Sequence, residues 1–152
     1  MDDELDVFDG NIKTATKMFE TTGNVAAAWL AFSTAFKHGR EIPASVYREI
    51  ERFAAKIAVR AEKAIVAEAD DDPVTLTPKE LAAFWRGKSK RDPVGRFQKE
   101  WRDYHLYWAL RKRVDQGMTL EAAAKEVKKA LKLAVGERSL KQTWARLNPN
   151  AR

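Results

Sequence analysis

Lys141, Gln142 and Arg146 lie close together near the C-terminus. Their long side chains end in the hydrogen-bonding groups that pair with the major-groove edges of guanine and adenine. Lys88, Lys90, Arg91, Arg111, Lys112, Arg113, Lys128, Lys129, Lys132 and Arg138 add positive charge of the kind that neutralises phosphates. One such lysine serves solubility as readily as binding, so the weight rests on the cluster. The chemistry these residues offer is recognition of a polyanion.

Residues suited to bond-making chemistry are sparse. There is no cysteine, which removes disulfides and thiolate metal sites. The two histidines, His38 and His105, are far apart and fit neither a metal-ligand nor a triad spacing. No glycine-rich turn offers a nucleotide cradle. Asp70, Asp71 and Asp72 are consecutive and cannot converge on one ion unaided. The expectation is a protein that is not an enzyme and holds no metal or cofactor.

Charge separates the chain into unlike halves. Residues 1–73 carry 9 Lys and Arg against 14 Asp and Glu, a net of −5, whereas residues 74–152 carry 19 against 8, a net of +11. Such a split suggests that the C-terminal half meets a polyanion while the acidic half does something else. An acidic N-terminus and the lack of a long apolar run lead to the expectation of a cytoplasmic protein with no membrane partner.

The elements that must position these residues all read as helices. Asn24 caps a stripe of Ala28, Trp29, Phe32, Ala35 and Phe36 that stops at Gly39, and a shorter helix from Ile12 to Thr21, flanked by Gly10 and Gly23, precedes it. Pro43 opens a long amphipathic helix to about Ala69, with Val46, Ile50, Phe53, Ile57, Ala61 and Ile65 on one face. If that face is wider than one neighbour can cover, a homodimer through residues 43–69 is expected. Asp70-Asp71-Asp72-Pro73 then reads as a stop. Thr77-Pro78-Lys79-Glu80 is a capping box, Asp92-Pro93 starts a helix to Gln116 with Phe97, Trp101, Tyr104 and Trp108 as a core stripe, and Thr119 caps a helix burying Ala123, Ala124, Val127 and Leu131. Ser139 and Gln142 read as a second capping box, starting a last helix with Leu140, Trp144 and Leu147 inward. The expected organisation is an acidic, flexible tail over 1–11, an acidic helical domain over 12–69, a linker over 70–76 and a basic helical domain over 77–152.

Residues 104–147, with Ala122-Ala123-Ala124 and Val127 on one helix and a basic helix from Ser139 to Leu147, resemble the trihelical helix-turn-helix domains of bacterial and phage DNA-binding proteins. The link Lys132–Arg138 is several residues longer than the tight turn of that family, and the apolar positions of the last helix are offset by about one. The stretch Gly23–Phe53 resembles uncharacterised proteobacterial proteins, which implies no function. The fold expected is all-α, a helical N-terminal hairpin with a long amphipathic helix, joined to a trihelical helix-turn-helix-like C-terminal domain whose motif spans 119–148. The resemblance implies a sequence-specific or semi-specific DNA-binding protein, a transcriptional regulator or an accessory protein of a phage or mobile element, with duplex DNA favoured over RNA. The alternative is a non-enzymatic protein-interaction module, an adaptor or inhibitor, using the long helix and the basic face.

Overall fold

The computed structural model describes residues 2–87 and 89–151, with side chains described for 7–87 and 89–150. Among these residues there are seven α-helices and no strand: α1 (Asp2–Thr22), α2 (Val25–Lys37), α3 (Ala44–Val66), α4 (Pro78–Arg86), α5 (Pro93–Asp115), α6 (Leu120–Ala130) and α7 (Glu137–Leu147), then a short 3-10 turn, Pro149–Ala151. None of the helices is long and apolar enough to cross a membrane. The chain divides into two compact units, residues 1–97 and 98–152.

In the first unit α1 lies on α2 through small side chains: Ala15, Ala28 and Ala31 are fully buried with Val46 of α3, and Phe19, Phe32, Ile42 and Ile50 close around them. Alanines let two backbones approach closely, and the larger rings fill the margins. The segments read from sequence as a tail and a separate helix from Ile12 form one helix beginning at Asp2, with Gly10 inside it. An interior glycine costs about 1 kcal/mol in a helix. Burial of Ile12, Ala15 and Met18 on the following turns outweighs that cost.

Asn24 holds this unit at a junction. It is fully buried; its Oδ1 accepts the Ala26 N–H at 2.9 Å and caps α2, while its Nδ2 donates to the Pro93 carbonyl at 3.0 Å. Asn24→Ala is expected to lower stability by about 1–3 kcal/mol, as a cap is lost and a buried carbonyl loses its donor. Asn24→Asp keeps the cap but not the second bond and should fall between the two in urea unfolding. A result for Asn24→Ala indistinguishable from the parent protein would refute the assignment.

α3 is about 35 Å long at 1.5 Å per residue. It ends at Val66, short of the Asp70–Asp72 run that was read as its stop, and Pro43 is its cap rather than its first residue. Its first turns are covered, with Val46 and Glu49 buried, whereas Ile65 and Val66 are 82% and 78% exposed. Segment 70–76 does not separate the units; α4 beyond it belongs with α1–α3. The Arg52 guanidinium of α3 donates to the Phe84 carbonyl at 3.0 Å, and the Trp85 ring lies 6.1 Å from that of Trp29, itself 5.4 Å from Phe53. Contacts made by these large side chains outweigh the polar composition of the segment before α4. The capping box forms as read: Thr77 Oγ1 accepts the Glu80 N–H at 3.2 Å and Glu80 Oε2 accepts the Thr77 N–H at 3.0 Å.

The second unit packs three helices on one core. Leu106 and Leu110 of α5, Ala123, Ala124 and Val127 of α6 and Leu140 of α7 are buried together, with Ala109, Val114, Leu133, Val135 and Trp144 against them. The aromatic stripe is only partly core: Tyr104 is buried, but Trp108 is 40% exposed, and Tyr107, which lay off the stripe, is buried with its ring 5.4 Å from Trp144. Leu131, read as part of the buried face of α6, is 54% exposed where the helix ends.

Candidate nucleic-acid interface

α6 is capped by Thr119, whose Oγ1 accepts the Ala122 N–H at 3.2 Å. With Ala123, Ala124 and Val127 turned into the core, Lys125 and Lys129 are exposed and Lys128 is half-buried. The link to α7 turns at Lys132, whose φ of 49° is left-handed, and tucks Leu133 and Val135 against the core. Lys132 itself is exposed.

The capping box expected from Ser139 and Gln142 does not form. α7 begins at Glu137, with Gly136, three residues before Ser139, as a cap that makes no side-chain bond. Glu137 in the first turn complements the positive end of the helix dipole. This start leaves Ser139 and Gln142 inside the helix, where Leu140 and Thr143 are buried, Trp144 and Leu147 half-buried, Arg138 and Gln142 exposed and Lys141 half-buried.

The expected binding residues are divided between the two units. Lys90 and Arg91 are exposed but belong to the first unit, and Lys88 lies outside the described residues. Two expected phosphate ligands are engaged within the protein: Arg111 Nε pairs with Asp115 at 3.0 Å, and Arg113 Nε pairs with Glu126 at 3.1 Å while Nη1 donates to the Ala109 carbonyl. Arg146, read as a base-edge ligand, donates through Nη2 to Asp103 at 2.7 Å. Lys128, Lys129 and Lys132 of α6 and its end, with Arg138, Lys141 and Gln142 of α7, remain as the polar groups nearest the expected role.

Arg146 and Gln142 share one feature, a groove of about 250 Å3 lined also by Lys99, Arg102 and Asp103 of α5, Val135 of the link and Ser139 of α7. Asp103 is its anchor. Its side chain is only 7% exposed and accepts from Lys99 Nζ and Arg146 Nη2, each at 2.7 Å, with Arg102 Nε at 3.9 Å. Burial opposes ionisation of this carboxyl, but the hydrogen bonds from Lys99 and Arg146 outweigh it and hold its pKa below the ordinary value. Sequence reasoning missed Lys99, Arg102 and Asp103. The i,i+4 spacing of Lys99 and Asp103 was a usable signal for their pairing, but nothing local marks the bond to Arg146, 43 positions away.

A pKa lowered by folding means that the ionised carboxylate stabilises the fold in full above its unfolded value of about 3.9, and that this contribution fades as pH falls through the lower folded value. Asp103→Asn should therefore be less stable than the parent at neutral pH, with the gap narrowing below about pH 4. Urea titrations of both proteins from neutral pH to pH 3 measure it; a gap independent of pH would show that the ion pairs contribute nothing.

Among the described residues no group of three or more His, Cys, Asp or Glu side chains is placed to hold a metal ion. Compared with family models, with curated proteins and with solved structures, the chain matches none.

Proposed function

We propose that residues 98–152 bind nucleic acid, duplex DNA in preference to RNA, as a non-enzymatic recognition unit. The observation that carries this reading is charge on a small folded unit: these 55 residues hold 13 Lys and Arg against 6 Asp and Glu, a net of +7, while residues 1–97 hold 15 against 16, a net of −1. Lys128, Lys129, Lys132 and Arg138 meet phosphates. Lys141 and Gln142 face base edges from α7 in a helix-turn-helix manner. Arg146 has a different part: fixed by Asp103, it holds α7 to α5 and offers only the unbonded side of its guanidinium. A transcriptional regulator or an accessory protein of a phage or mobile element is the setting this reading fits.

Fluorescence anisotropy of the full chain with a labelled duplex of mixed sequence, at about 50 mM salt, tests it. Saturable binding that weakens steeply with salt is expected, and the absence of binding would reject the reading. The exposed end of α3, with Val59, Ile65 and Val66 turned to solvent, favours a second reading in which the chain docks on a protein or on its own copy. Under that reading Ile65→Lys abolishes self-association in light scattering; under the nucleic-acid reading it leaves DNA affinity unchanged.

A further inference from the structure

In the first unit a cleft of about 500 Å3 opens between α3 and the end of α4, within the size range of small-molecule sites. Phe19, Val25 and Ala83 form an apolar part of its wall, and Glu49, Arg52, Lys56 and Arg86 bring charge to it. The acid among them is already satisfied. Glu49 is 8% exposed, and its two oxygens accept from Arg52 Nε at 2.9 Å and Nη2 at 2.5 Å.

Removing that neutralised pair leaves Lys56 and Arg86. Neither forms an ion pair with a described residue. Lys56 Nζ stands over the Phe84 ring, 5.3 Å from its centre, and the acid that Arg86 feels, Asp92, already accepts from the Gly95 N–H at 2.6 Å and the Trp85 indole at 3.3 Å. Arg52 keeps Nη1 without a hydrogen-bond partner among the described residues, and Glu49 holds its guanidinium in one orientation. A partly enclosed site of this kind strengthens charge attraction relative to open water, while its apolar wall rewards a hydrophobic body.

We propose that this cleft binds a small organic anion, a single carboxylate or phosphate carried on an apolar body. The anionic head meets Lys56, Arg86 and the free edge of Arg52; the body lies on Phe19, Val25 and Ala83. The site lies wholly in residues 1–97 and does not depend on nucleic-acid binding by the other unit.

The test is calorimetric titration of the full chain with three probes that share one ring system: 1-naphthyl phosphate, 1-naphthoate and neutral 1-naphthol. Both anions are expected to bind one to one, and naphthol at least tenfold more weakly. Lys56→Met with Arg86→Met should erase the preference for anions, whereas Lys129→Met in the other unit should not alter it; melting curves check that each variant folds. Tighter binding of the phosphate by tenfold or more assigns a phosphorylated ligand, and equal or reversed affinity assigns a carboxylate. Failure of both anions to bind, equal binding of naphthol, or unchanged anion preference in the double variant at an intact melting temperature would overturn the proposal.

Discussion

Leu110→Ala is expected to destabilise the C-terminal unit by about 3–5 kcal/mol, the cost of losing a fully buried leucine and leaving a cavity among α5, α6 and α7. Leu110 is completely inaccessible and shares its core with Leu106, Ala123, Ala124, Val127 and Leu140, so two of its buried neighbours are alanines. Alanines have no longer branch that could swing into the space. Leu131→Ala, at a position 54% exposed beyond the end of α6, should cost under about 1 kcal/mol. Urea unfolding of the full chain, followed by circular dichroism, separates the two, and equal costs would refute the three-helix core. Such a loss is a large share of the 5–15 kcal/mol that holds a typical domain together, so under the proposed function DNA binding is expected to fall at the lower temperature or urea concentration at which the variant unfolds, with no residue of the proposed interface changed.

Replacing Lys128, Lys129 and Arg138 together by alanine is expected to weaken binding to every duplex by roughly 10²–10³-fold near 0.1 M salt. Each phosphate contact contributes about 0.9 to the slope of log affinity against log salt, so three lost contacts should flatten that slope by about 3. Stability should change little, because none of the three makes an ion pair among the described residues and Lys129 and Arg138 are exposed. Gln142→Ala should behave differently, costing about 1–3 kcal/mol on a cognate site and leaving non-specific affinity almost unchanged. Anisotropy titrations at several salt concentrations decide between these outcomes. If the triple variant keeps its parent's salt slope, α6 and the start of α7 do not face phosphates.

The helical content and most helix starts were legible because their signals are local. Thr77 with Glu80, Asn24, Thr119 and Asp92 each sit within three residues of the amide they cap, and a window of that size contains the whole interaction. The last helix shows where local signals compete. Ser139 and Gln142 have the residue types of a capping box, but Gly136 and Glu137 also offer a start, and burial of Leu140 against Leu106 and Leu110 accompanies the earlier one. Gly10 looked like a boundary because glycine weakens an isolated helix; in the folded chain Ile12 and Ala15 are buried directly after it.

By itself the sequence determined an all-helical chain, the places where most of its helices begin, and a marked concentration of positive charge toward the C-terminus, since propensity, capping and charge depend on residue type and near neighbours. Tertiary structure decided where the units divide, that α4 belongs with α1–α3, and which cations are already engaged. Arg146 and Lys128 carry the same charge in sequence. Folding brings Asp103 to Arg146 across 43 positions and brings no carboxylate of the described residues into an ion pair with Lys128. Asn24 likewise announces a cap locally but not its bond to Pro93, 69 positions away. Pairings at that separation are set by how helices pack, and packing depends on the summed burial of many side chains rather than on any pattern readable along one segment.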